Sequence, residues 1–120
     1  MKKKTLVFGA SANPSRYSFL AVNRLVGQGH EVVAFGLKNE TVAGVQIDTE
    51  LIPYKDIDTV TLYMNPYRQQ EFYDYLISIS PKRIIFNPGT ENPEFYKLLK
   101  EKGIHYEQAC TLILLSINQY

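Results

Sequence analysis

Residues 4–31, KTLVFGASANPSRYSFLAVNRLVGQGHE, decide how the chain folds. Thr5, Leu6, Val7 and Phe8 form a short apolar run, the pattern of a buried strand. Small and turn-forming residues follow, Gly9-Ala10-Ser11-Ala12-Asn13-Pro14-Ser15. Beyond them Phe19, Val22, Leu25 and Val26 recur at helical spacing. Gly27 and Gly29 end that segment, and a second apolar run begins at Val32. Strand, loop, helix and strand in this order make a βαβ unit, which implies a parallel sheet.

The loop of this unit suits a phosphate. The first turn of a helix has N–H groups without partners, and the positive end of its dipole points the same way. Gly9 permits a tight turn and close approach of a ligand, so a branched side chain there is expected to block binding and leave the domain folded. Ser11 and Ser15 offer hydroxyls, and Ser15 or Asn13 is the expected helix cap. A βα turn that holds nothing has much the same composition. The three positions of the dinucleotide fingerprint G-x-G-x-x-G are here Gly9, Ser11 and Pro14. The second strand ends in Phe35-Gly36-Leu37-Lys38 without an acid at its tip, and Glu40 is expected in the loop that follows. A carboxylate at that tip binds an unmodified ribose, whereas a lysine suits a phosphorylated one. Lys38 therefore points away from NAD and towards NADP or coenzyme A, although a solvated loop lysine would look the same.

A chain of 120 residues makes one domain, residues 1–120, with a single core. Its formal net charge of +1 gives no field favouring nucleic acid or an anionic membrane. No apolar run approaches the ~20 residues of a membrane span, and the basic start Met1-Lys2-Lys3-Lys4 leads into a strand, unlike a signal peptide. Cys110 is the one cysteine, so no internal disulfide forms and a reducing cytoplasm is the expected setting.

The strand-helix rhythm continues. Residues 39–56 carry no helical period and read as a connector with one short strand near Val45 to Ile47. A third core strand is expected over Asp58–Tyr63, ended by Asn65-Pro66, which opens a helix from about Tyr67 to Ile79. Arg83–Phe86 is the fourth strand, its Ile-Ile-Phe run typical of a strand covered on both faces. Asn92-Pro93 is a strong helix start and Gly103 a stop. Ile104–Glu107 is a fifth strand, and the tail, Gln108 to Tyr120, fits a strand or a short helix. The tips of the first four strands share one edge of the sheet. Small, polar and proline residues gather there, where open parallel sheets bind ligands.

The run Val7-Phe8-Gly9-Ala10-Ser11-Ala12-Asn13-Pro14-Ser15-Arg16 resembles the opening G-A-S-x-N-P pattern of the stand-alone CoA-binding domain proteins. Their fold is shared with the nucleotide-binding domain of succinyl-CoA synthetase alpha subunits. Gly29-His30-Glu31-Val32, Val42-x-Gly44-Val45, Asn87-x-Gly89-x-x-Asn92 and Ala109-Cys110 extend the likeness over nearly the whole chain. Gly36-Leu37 stands where that family usually has Asn-Pro. The resemblance implies a Rossmann-like three-layer α/β sandwich, with a mainly parallel sheet of about five strands and helices on both faces. It implies coenzyme A or an acyl-CoA as ligand, and the lysine without an acid at the second strand's tip argues against NAD. The pyrophosphate would lie on Gly9, Ala10, Ser11, Asn13, Ser15 and Arg16, and the phosphorylated ribose near Lys38. Tyr63, Asn65 and Pro66 would flank the adenine, with Asn87 and Gly89 beside them.

Little points to catalysis. His30 and His105 each follow a glycine-ended helix, at the edge opposite the strand tips. No metal or nucleophile-elbow spacing occurs, and Cys110 has no histidine near it in the sequence. The expected function is binding of a small nucleotide ligand without chemistry of its own. An NADP-dependent or other nucleotide-binding enzyme component is the second reading. A protein-interaction module that has lost the ligand is the third, and a homodimer or another protein partner stays open. Among nine tyrosines, Tyr63 and Tyr67 flank the third strand tip and are the ones expected near a base.

Overall fold

The computed structural model describes residues 2–120. Among them seven strands form one sheet: β1 (Thr5–Ala10), β2 (Val32–Gly36), β3 (Thr41–Val42), β4 (Val45–Asp48), β5 (Thr59–Leu62), β6 (Arg83–Phe86) and β7 (His105–Gln108). Their order is β3-β4-β2-β1-β5-β6-β7. Neighbours pair in parallel except β3 and β4, which are antiparallel. With β3 set aside, this is the strand order 3-2-1-4-5-6 of the dinucleotide-binding sheets, and it reverses between β1 and β5. The Rossmann-like α/β class read from the sequence is the observed one, with a wider sheet than about five strands.

Two apolar layers enclose the sheet. Leu6 and Phe8 of β1 face one side, with Val60, Leu62, Ile84 and Phe86 beside them. Helices α3 (Tyr73–Ser78) and α4 (Pro93–Glu101) cover that side through Leu76, Phe95 and Leu99. Val7 and Ala10 face the other side, under α1 (Tyr17–Gly27) and α5 (Thr111–Ser116), which contribute Val22, Leu25 and Leu115. Alternate residues of β1 thus serve both layers, which is why its sequence is a continuous apolar run.

Three elements differ from expectation. The connector strand is present as β4, but Thr41–Val42 also folds back on it as β3. The link is Ala43-Gly44 with φ of 50° and 80°, the left-handed pair that a two-residue hairpin needs. Alanine is a weak signal for that turn, so the hairpin is hard to see in the sequence. The expected helix over 67–79 is broken into α2 (Pro66–Gln69), a 3-10 turn (Gln70–Phe72) and α3. The break keeps the Gln69 amide pointing inward while the Phe72 ring packs edge-on against Phe8 and Phe35. The tail is a helix, α5, followed by a segment that brings the Tyr120 hydroxyl to 2.7 Å from Thr5 Oγ1.

Candidate functional site

The ends of β1, β2, β5 and β6 open onto one cleft of about 740 Å³, at the point where the strand order reverses. Each wall is shaped by local sequence chemistry.

At the end of β1, Gly9 has φ +100°, and the pairing register with β2 shifts there. A Cβ on Gly9 would lie 2.9 Å from the carbonyl carbon of Tyr63. Glycine is therefore required by the packing of β1 on the end of β5, in addition to lining the cleft. The loop then folds on itself. The Asn13 N–H donates to Ser11 Oγ (3.0 Å), and the Ser15 N–H and hydroxyl both donate to Asn13 Oδ1 (3.0 and 2.8 Å). Neither Ser15 nor Asn13 caps α1, contrary to expectation. The cap position is Arg16, whose side chain makes no capping bond. The uncapped start of α1 faces the cleft, and Tyr17 and Ser18 are part of its wall.

At the end of β2, a Cβ on Gly36 would collide with the Ala10 carbonyl oxygen, so the two strand tips meet closely. Leu37, Lys38 and Glu40 all line the cleft. Glu40 lies in the loop after β2, as expected, and the β3–β4 hairpin holds it there, with its carbonyl accepting from the Ile47 N–H at 2.7 Å.

The end of β5 contributes Tyr63, Met64, Asn65 and Arg68. The Tyr63 hydroxyl is buried and, among the described residues, has no hydrogen-bond partner. Burial pushes its pKa up to about 12, so the phenol is neutral. Asn65 caps α2, accepting from the Arg68 N–H at 2.9 Å, with Pro66 in the first turn. Gln69 is fully buried beneath. Its amide donates to the Met64 and Thr90 carbonyls, both at 2.8 Å, and accepts from Asn92 Nδ2 at 2.8 Å. Asn92 also donates to the Tyr73 hydroxyl at 2.9 Å. This network ties the β5 wall to the β6 wall, which supplies Pro88, Gly89 and Thr90.

Of the residues expected to meet a ligand, Gly9, Ala10, Ser11, Asn13, Arg16, Lys38, Tyr63, Asn65 and Gly89 line this cleft. Ser15, Pro66 and Asn87 do not. Ser15 is exposed and holds the Asn13 turn. Pro66 begins α2. Asn87 is buried: its amide donates to Thr61 Oγ1 (2.7 Å) and the Leu62 carbonyl (2.8 Å), and it accepts from the Thr111 N–H (2.9 Å). Tyr67 stands 81% exposed over a shallower depression that shares Asn65 and Arg68 with the cleft. Sequence reasoning missed Tyr17, Ser18, Leu37, Arg68 and Thr90. The signal for Arg68 was there: the Asn65-Pro66 helix start puts it in the first turn, beside a strand tip.

Arg16, Lys38 and Arg68 bring three positive charges to the cleft against the one carboxylate of Glu40. Among the described residues the ion pairs are Lys4–Glu31, Arg83–Glu107 and His105–Glu107, so none of the three cleft cations is paired. The cleft thus carries a net positive charge. His30 lies away from it, 9% exposed, with Nδ1 accepting from the Lys3 N–H at 2.9 Å. His105 lies at the start of β7 beside Glu107. Among the described residues no group of His, Cys, Asp and Glu side chains is placed to hold a metal ion, and no helix is long and apolar enough to cross a membrane.

Solved structures share this architecture. A crystal structure of an uncharacterized protein is 45% identical with a TM-score of 0.97, covering 100% of this chain and 99% of its own. A hypothetical protein from Pyrococcus horikoshii OT3 is 28% identical with a TM-score of 0.83, covering 93% and 80% respectively. Cell-free ID.343 from Thermus thermophilus, 23% identical with a TM-score of 0.87 over 99% of this chain and 91% of its own, shares the fold. No curated protein matches. The family model described as the CoA binding domain matches residues 3–116, the span from β1 through α5 that builds every wall of the cleft. By that match the chain belongs to the CoA binding domain family.

Proposed function

We propose that the cleft binds coenzyme A or an acyl-CoA and that the domain performs no chemistry of its own. The observation that carries the reading is the anion-suited cleft at the strand-order reversal of a chain in the CoA binding domain family. In this reading the loop from Gly9 to Arg16 and the uncapped start of α1 hold the pyrophosphate. Lys38 meets the phosphorylated ribose, and Tyr63 and Asn65 lie beside the adenine. The polar groups around the ligand are cations, amides, hydroxyls and the Glu40 carboxylate, with both histidines elsewhere.

Glu40 favours a second reading. A carboxylate in the loop after β2 that lines the cleft can accept from the hydroxyls of an unmodified ribose, so NAD is the competing ligand class. Thermal unfolding with each ligand separates the two. Coenzyme A at about a hundredfold its Kd should stabilise the native state by about 2.7 kcal/mol, a rise of several degrees. A rise with NAD or NADP and none with coenzyme A would overturn the primary reading. Native mass spectrometry of the purified protein would show which nucleotide travels with it.

A further inference from the structure

We propose that Arg68 selects the ligand by its phosphate charge, a role that rests on reading the cleft as a nucleotide site. Arg68 lines both the cleft and the depression beyond it, a position it shares with Asn65. It is half-buried, whereas Arg16 and Lys38 are exposed. A contact made there is screened less by water and salt than one made at the rim. Among the described residues it has no ion pair, although Glu71 lines the same depression. The planar fork of its guanidinium matches two phosphate oxygens at once.

The backbone under Arg68 is fixed before any ligand arrives. Asn65 caps its N–H, and the next residue, Gln69, is bolted through its buried amide to Met64, Thr90 and Asn92. An arginine on such a platform loses little further backbone freedom when it binds, so more of its contact appears as affinity. The same network ties the Arg68 segment to Thr90 at the end of the neighbouring strand β6.

Calorimetry with coenzyme A and, separately, NADP tests this, because both carry a pyrophosphate and a ribose phosphate. Arg68→Gln should weaken whichever nucleotide binds by roughly ten- to a hundredfold, and the loss should shrink as salt rises. Arg68→Lys should recover part of it. The melting temperature of the free protein should stay close to wild type in both variants, because the guanidinium lies outside the buried network. Wild-type affinity in Arg68→Gln, or a loss that salt does not change, would overturn the proposal. If the wild type binds NADP and not coenzyme A, the coenzyme A reading falls while the Arg68 test proceeds on NADP. If it binds neither, both fall.

Discussion

Gly9 and Tyr63 touch through their main chains: a Cβ on the first would lie 2.9 Å from the carbonyl carbon of the second. The contact joins the tips of β1 and β5, with the Tyr63 N–H donating to the Phe8 carbonyl at 2.9 Å one residue before the glycine. Gly9→Ala should therefore destabilise the domain by roughly 1–3 kcal/mol, through a clash and a left-handed φ together. Gly9→Val should cost more, so it cannot serve as a clean binding mutant. Urea unfolding of Gly9→Ala checks this, and a midpoint equal to wild type would contradict the packing.

Lys38 offers a cleaner test of ligand chemistry, because its side chain is exposed and free of ion pairs among the described residues. Lys38→Ala should weaken coenzyme A by ~0.2–1 kcal/mol and leave dephospho-coenzyme A nearly unchanged. The difference should fade with added salt. Titration calorimetry of both ligands against both proteins closes the cycle. Equal losses for the two ligands would remove the ribose phosphate as the group Lys38 meets.

Asn87 should act on stability first. Removing its side chain with Asn87→Ala leaves the Leu62 carbonyl, the Thr61 hydroxyl and the Thr111 N–H to find other partners. A loss of about 2–3 kcal/mol is expected, with α5 loosened because Thr111 is its first residue. Hydrogen exchange should show faster exchange in α5 than in α1. Unchanged stability combined with lost ligand binding would return Asn87 to the site.

His30 should give the protein a pH dependence. Burial, reinforced by Lys2 nearby, holds its pKa below the ordinary 6.5, and the ring packs edge-on against Tyr120. The unfolded chain then takes up a proton more readily than the native one. Stability is full above about pH 6.5 and falls as the pH drops from there towards the lowered native pKa. His30→Gln, which cannot titrate, should flatten the difference in urea midpoint between pH 7.5 and pH 5.5. Identical slopes in the two proteins would assign the effect to other groups.

The βαβ start, both proline-led helix starts and the four strand tips on one edge were legible because short-range signals set them. Asn92-Pro93 illustrates this: its cap bond reaches only to Phe95, three residues on. What stayed hidden depends on distant partners. Asn87 has the chemistry of a ligand contact, yet it satisfies buried groups from β5 and α5. The broken helix is of the same kind, since Gln69 bends the chain inward to reach Thr90. The tail was ambiguous by period, and anchorage of Thr111 to Asn87 and Thr61 decides for a helix.

The two borders of the sheet carry a consequence for self-association. On one side β3 is only two residues long and offers almost no ladder for another strand. On the other, β7 carries His105 and Glu107, and the Glu107 carboxylate lies 3.7 Å from Arg83. Short and charged borders discourage the strand-to-strand zippering that leads to aggregates.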